Sequence, residues 1–234
     1  MSADTQKKAA ALEALKVVTA DVKIGLGTGT TANHFIIAAA EKVKREKLNT
    51  IFVPTSAASY ALAQKHGLNL QNIEDNAFLD FTVDGADEID PQFRMIKGGG
   101  GALHREKIVA SSSRFVICIC DESKKVETLG KFPLPVEVSK YGVNPTAWKI
   151  ERLLHNQGFT NAKMRLRAQV DGKPFVTEGG NAIIDLQLGA IPDPDRLEAS
   201  LKHLPGVIEC GLFIGICGIV MMATENGVEE ITRP

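Results

Sequence analysis

KIGLGTGTTANHFIIAAAEKVKREKLNTIFVPTS, residues 23–56, begins and ends on short apolar runs. Lys23–Leu26 is the first run and Thr50–Val53 the second; Thr31–Lys47 between them reads as a helix. Short apolar runs separated by helices imply parallel strands with both faces covered. The alternation continues downstream. A helix over Ala57–His66 stops at Gly67, and Phe78–Val83 is a third run. Ala102–Ser112 is a helix, and Arg114–Cys120 a fourth, strongly β-branched run. Upstream, residues 5–19 read as an amphipathic helix with Ala10, Leu12, Leu15, Val18 and Thr19 on its stripe. This pattern predicts an α/β fold: a doubly wound, Rossmann-like parallel sheet.

The pattern changes after about Gly130. Pro133–Val138 reads as a strand, Pro145–Asn156 as a helix, and Lys163–Val170 and Asn181–Leu188 as alternating strands around Asp171-Gly172. Asp195–His203 is a helix and Val207–Phe213 a strand. The order β-α-β-β-α-β is the ferredoxin-like arrangement. The tail returns to a hairpin, Ile216–Ala223 and Val228–Ile231, around Asn226-Gly227. The expected organisation is a Rossmann-like catalytic domain of residues 1–130 plus 207–234, with a small ferredoxin-like α+β domain, residues 131–206, inserted in it.

Composition narrows the class. The 234 residues carry 27 basic and 28 acidic side chains, with 44% apolar residues, which are ordinary globular values. The formal charge of −1 offers no reason to expect nucleic acid or an anionic membrane as partner. The strongly apolar stretch Cys210–Ala223 is 14 residues with three glycines, short of the roughly 20 that a bilayer span needs. The N-terminus has no apolar signal core. Cys118, Cys120, Cys210 and Cys217 are too few for a disulfide framework and read as small buried hydrophobes in a reducing, cytoplasmic setting.

In an open parallel sheet, ligands bind beyond the carboxyl ends of the strands, so the residues after each apolar run matter most. Gly27-Thr28-Gly29-Thr30-Thr31 follows the first run and opens a helix: glycines permit close approach, and free N–H groups attract anions. A tight turn with an N-cap is the bland alternative. The loose dinucleotide fingerprint lacks its acid near the second strand's end, and no Lys-Ser or Lys-Thr closes a nucleotide loop, so a single phosphate is favoured. Lys97 before Gly98–Gly101 repeats the logic with a fixed charge. Glu106, one turn into the next helix, points back toward that loop and is a candidate base. Its alternative is a solvent-facing glutamate paired with Arg105 or Lys107. Asp84, Asp87, Glu88 and Asp90 are the densest acidic cluster, open to three readings: a Mg²⁺ site, carboxylates that move hydroxyl protons, or a capped turn. His34, His66, His104, His155 and His203 show no ligand spacing.

DGADEID at 84–90, MIKGGGGAL and REKI across 95–108, GTGTT at 27–31, KFPLPVEV at 131–138 and LPGV at 204–207 resemble the ribose-5-phosphate isomerases of the A type. The resemblance runs over essentially the whole chain. It implies an aldose–ketose isomerase of the pentose phosphate pathway acting on a phosphosugar without a metal or cofactor, in a homodimer or homotetramer. It implies Glu106 as the base between carbon 2 and carbon 1, and Asp84 in ring opening and hydroxyl proton transfer. It implies Asp87 and Lys97 at the enediolate, and a pocket lined by Thr28, Gly29, Thr30, Thr31, Asp84, Gly85, Ala86, Asp87, Lys97, Gly98, Gly99, Gly100 and Lys124. Lys7 matches an N-terminal lysine of some members. Thr30 stands where relatives often carry serine, which keeps the hydroxyl. Two other classes remain open on the residues: a non-catalytic phosphosugar sensor, and an acyl or CoA transferase with a glutamate nucleophile.

Overall fold

Helix α1 (Ala3–Glu13) opens the computed structural model, which describes residues 1–76 and 78–233; Ala77 and Pro234, inside the expected first domain, lie outside the described residues. The Ser2 hydroxyl caps α1 by accepting from the Thr5 N–H at 3.2 Å. The helix ends earlier than the stripe predicts and continues as a 3₁₀ turn, Ala14–Val17. Its buried face also differs. Ala10, Ala11 and Ala14 go inward while Leu12 is 47% exposed. Methyl-sized side chains let this helix lie close to its neighbours, so alanine rather than leucine marks the packed face.

Strand β1 (Lys23–Leu26) leads into helix α2 (Thr30–Glu46), then β2 (Ile51–Pro54), α3 (Ala57–Lys65) and β3 (Phe81–Asp84). Two-residue strands β4 (Glu88–Ile89) and β5 (Met95–Ile96) follow, then α4 (Leu103–Ser111) and β6 (Val116–Asp121). The rest is β7 (Leu134–Val138), α5 (Val143–Asn156), β8 (Lys163–Leu166), β9 (Ala182–Gln187), α6 (Pro194–Lys202), β10 (Val207–Cys210), β11 (Leu212–Phe213), β12 (Cys217–Thr224) and β13 (Gly227–Thr232). The chain forms two compact units. One comprises Met1–Ala86, Arg105–Lys125 and Gly215–Pro234; the other comprises Asp87–His104 and Val126–Ile214.

The first unit holds a six-stranded sheet in the order β2-β1-β3-β6-β12-β13. The first five strands are parallel, as the alternation predicts, and β13 closes the edge as the antiparallel arm of the predicted hairpin. Phe35, Ile36, Ala39 and Ala40 of α2 recur at helical spacing and bury against Ile24, Leu26, Val83, Ile117 and Ile119. Helix α4 serves the other face through Val109, which clusters with Val53 and Leu79. A Cβ on Gly25 would lie 2.7 Å from a Val109 methyl, so glycine in mid-strand sets how closely α4 approaches β1.

The second unit holds a four-stranded antiparallel sheet in the order β10-β7-β9-β8, with α5 and α6 on one face. That is the ferredoxin-like order predicted from the sequence. Leu134, Val136 and Val138 pack on Ile150, Leu154, Leu197 and Leu201. The predicted strand Val207–Phe213 is in fact two strands in different sheets, β10 on β7 and β11 on β5. Gly211 divides them: its N–H donates to Pro135 O at 2.7 Å and its carbonyl accepts from Lys97 N at 2.9 Å. β11, β5 and β4 form a small third sheet that the sequence reading does not contain.

Candidate active site

The parallel sheet reverses its strand order between β1 and β3, because the chain leaves β1 for β2 on one side and reaches β3 on the other. This switch point is where α/β sheets open a crevice at their carboxyl edge. Gly27 and Thr28 leave β1 there, and Asp84 ends β3 beside them. Asp84 is 2% exposed, and its Oδ1 accepts from the Thr28 N–H at 3.1 Å and the Gly85 N–H at 2.7 Å. A Cβ on Gly27 would sit 2.0 Å from Asp84 Oδ1 and 2.6 Å from Asp84 Cα. The first glycine of the loop is thus required by a carboxylate of the protein itself, a contact that neither the phosphate reading nor the capped-turn reading contains.

Thr28 turns its hydroxyl inward, to Thr55 Oγ1 at 2.8 Å and Ser56 Oγ at 2.7 Å beyond β2. These two partners were not among the predicted site residues; their signal was their place immediately after the second apolar run. Gly29, at φ +114°, is the N-cap of α2 and offers no side-chain cap. The first turn, with Thr30 exposed and Thr31 buried, therefore presents backbone N–H groups and the positive end of a 17-residue helix. Asp4 Oδ1 lies 3.1 Å from His34 Nε2, which brings the start of α1, and Lys7 one turn along it, toward the opening turns of α2. Beyond β6, Asp121 caps the 3₁₀ turn Glu122–Lys124 through the Ser123 N–H at 3.1 Å, and Glu122 Oε1 accepts from Gln6 Nε2 at 2.6 Å. Lys124 is half-buried at the same edge.

Glu106 occupies the first turn of α4 and is 3% exposed. The solvent-facing alternative is therefore excluded. Its position along the sheet follows from where the helix ends. The Leu79 N–H donates to Ser112 O at 2.8 Å, and the Arg114 N–H to Leu79 O at 3.1 Å, just before β3. Thus α4 runs against the strands, finishing at their amino ends and starting at their carboxyl ends. Glu106 is at the carboxyl edge.

The second unit holds Asp87, Lys97 and the glycine run. The Gly101 N–H donates to Gly98 O at 2.9 Å, closing a turn with Gly98 at φ +103° and Gly101 at φ +84°. Asp87 Oδ2 accepts from the Gly99 N–H at 2.8 Å. An added Cβ would meet Leu103 Cβ at 2.9 Å from Gly98, Asp87 Oδ1 at 2.8 Å from Gly99, and Phe175 Cζ at 2.4 Å from Gly101. These glycines too serve close contacts within the protein. Lys97 is 4% exposed, with Nζ 5.4 Å from the Phe213 ring centroid.

The acidic cluster divides. Glu88 accepts from the Gly130 and Phe132 N–H groups at 2.7 and 2.6 Å. Asp90 accepts from the Gln92 and Arg94 N–H groups at 3.0 and 2.9 Å and pairs with Arg94 Nε at 2.6 Å. Asp90 thus caps its own turn, which is the turn reading, whereas Glu88 in β4 is committed to backbone N–H groups 42 and 44 residues further along the chain; carboxylates so paired are poor candidates for a cation. Asp84 and Asp87 remain as the candidates for chemistry. The four cysteines are free and buried, as read from the sequence. A hydrogen bond to Cys118, reinforced by burial, pushes the Cys120 thiol well up, and burial does the same at Cys217.

Comparison with known proteins agrees with this architecture. The family model for ribose 5-phosphate isomerase A (phosphoriboisomerase A) matches residues 51–227. The ribose-5-phosphate isomerase A of Parvibaculum lavamentivorans is 51% identical over 231 residues, 99% of each chain. That of Rhodopseudomonas palustris is 48% identical over 233 residues, 100% of each chain. A solved D-ribose-5-phosphate isomerase in complex with phospho-erythronic acid aligns with a TM-score of 0.91 at 40% identity over 100% of both chains. The ribose 5-phosphate isomerase of Plasmodium falciparum aligns at 0.92 and 32% identity over 98% of both. The chain belongs to the ribose 5-phosphate isomerase A family, a family of aldose–ketose isomerases.

Proposed function

We propose that this chain interconverts D-ribose 5-phosphate and D-ribulose 5-phosphate through an enediolate, with Glu106 as the base. The observation that carries this reading is a carboxylate 3% exposed, in the first turn of a helix that begins at the carboxyl edge of the parallel sheet. The Glu106 carboxylate takes the proton from carbon 2 of the open-chain aldose. The electron pair forms the carbon 1–carbon 2 double bond, and the carbonyl oxygen on carbon 1 gains the negative charge. Return of the proton to carbon 1, with loss of the hydroxyl proton on carbon 2, gives the ketose. Asp84 serves ring opening and proton exchange between the two oxygens, and the two N–H groups that donate to its Oδ1 fix where that carboxylate stands. Lys97 and Asp87 act at the enediolate. The uncapped first turn of α2, with Gly29, Thr30 and Thr31, takes the phosphate, assisted by Lys7 and Lys124. Binding energy at the phosphate holds carbon 2 against the base.

The sensor and acyl-transfer alternatives fall with family membership along the whole chain. The test of the mechanism is direct measurement of ribulose 5-phosphate formation by Glu106→Gln. Turnover should fall by about 10²-fold or more with substrate binding retained; a near-parental rate removes Glu106 from the role. Activity in excess chelator should be unchanged. A loss restored by Mg²⁺ would instead return the acidic cluster to consideration as a metal site.

A further inference from the structure

Arg167 lies just beyond β8, and no local feature of the sequence marks it. Its guanidinium makes a two-pronged pair with Asp185: Nε to Oδ2 at 2.9 Å and Nη2 to Oδ1 at 2.5 Å. The remaining nitrogen, Nη1, donates to Gly98 O at 2.9 Å and to Gly99 O at 3.1 Å. The side chain is only 14% exposed and lies 5.8 Å from the Phe175 ring, the same ring that presses on Gly101. Its backbone is fixed as well, since the Arg167 N–H donates to Ile183 O at 2.8 Å and the Phe175 N–H to Arg167 O at 2.9 Å.

We infer that Arg167, anchored by Asp185, is a positioning residue that sets the Gly98–Gly101 turn so that the Gly100 N–H serves as a donor to the substrate's developing oxyanion. The inference rests on the proposal above that Gly98, Gly99 and Gly100 line the substrate pocket. Its geometry is that of two consecutive peptide planes. The Gly98–Gly99 plane is held at both ends, its carbonyl by Arg167 and its N–H by Asp87 Oδ2 at 2.8 Å. The Gly99–Gly100 plane is held at its carbonyl. A planar trans peptide then aims the Gly100 N–H directly away from the guanidinium. A cation on both carbonyls also polarises these amides and strengthens their N–H groups as donors. Four glycines in a row would otherwise sample many orientations. A preset donor costs no reorganisation when charge develops.

The test compares Arg167→Met, Arg167→Lys and Asp185→Asn with the parent in steady-state kinetics and thermal unfolding, with Glu106→Gln assayed alongside. Loss of a donor needed only in the transition state lowers kcat and kcat/KM together. We expect Arg167→Met to lose about 10- to 100-fold in kcat with KM moved less than about threefold. Arg167→Lys should recover only part of this, because an ammonium cannot span Asp185 and two carbonyls at once. Added guanidinium should raise the rate of Arg167→Ala and leave the parent unaffected. The inference is overturned if Arg167→Met or Arg167→Lys keeps kcat within about twofold, or if the only change is a lower melting temperature. Should Arg167→Met fail to fold, the volume-conserving Asp185→Asn and Arg167→Lys decide by the same kcat criterion. If Glu106→Gln keeps the parental rate, the underlying site reading has failed; if it is inactive while the Arg167 variants are unimpaired, only this inference has.

Discussion

Gly27 shows how one residue can mislead and still mark the right place. Next to Thr28 and a helix start, it reads as room for a phosphate, yet the atom that needs the room is Asp84 Oδ1. Its backbone is not in the left-handed region, so the constraint is contact rather than conformation. Gly27→Ala would place a methyl 2.6 Å from Asp84 Cα, where no side-chain rotation can relieve it. β1 and β3 must then separate or Asp84 must shift, and a displacement of about 1 Å near the chemistry is worth up to about 10²-fold in rate. We expect Gly27→Ala to lose at least tenfold in kcat/KM with its circular dichroism spectrum unchanged. An alanine variant with parental kinetics would show that the placement of Asp84 by this loop does not matter. The same residue-scale reading explains what the sequence hid. Asp84 and Glu106 stood out because a strand end and a helix start are local features. Arg167 did not, because its carbonyl partner Gly98 is 69 residues away in the chain.

The elements were legible in proportion to their length. Four-residue strands buried on both faces declare themselves as apolar runs between helices, and a 17-residue helix with a regular apolar stripe declares itself through period. The β-α-β-β-α-β order was likewise readable, and it fixes the sheet order by known topology. Two-residue strands such as β4, β5 and β11 have no period to read, so the third sheet was invisible. The misread run Val207–Phe213 has a physical cause at Gly211, where the chain passes from one sheet to another with almost no clearance. A Cβ there would lie 2.3 Å from Lys97 O and 2.7 Å from Pro135 Cδ. Gly211→Ala should therefore destabilise by about 2 kcal/mol through overpacking, lowering the melting temperature by roughly 4–8 °C. Because the same contact holds the Lys97 backbone, kcat should fall as well. A melting temperature within about 1 °C of the parent would mean that the two sheets separate freely at this point.

At the scale of the whole molecule, the thiols link the interior to pH. Cys118 and Cys120 point to one face of β6, and Cys217 starts the neighbouring β12. The Cys120 thiol is raised first by its hydrogen bond to Cys118 and then by burial, and the Cys217 thiol by burial, both from an ordinary value of 9.0. Well below pH 9 these thiols are protonated whether the chain is folded or unfolded, and there they make no difference to stability as pH changes. Above it the unfolded chain releases their protons while the folded chain keeps them. The folded state then binds more protons, so stability falls as pH rises, by up to about 1.4 kcal/mol per pH unit for each thiol. Urea unfolding between pH 8 and 10.5 should show this decline, and replacing Cys120 and Cys217 by alanine should flatten it, even though the cavities left behind lower stability at pH 8. An equal slope in parent and variant would place the alkaline loss in other groups. Burial itself predicts inertness: in the folded protein at pH 8, none of the four cysteines should react with a thiol reagent on the timescale on which all four react in denaturant.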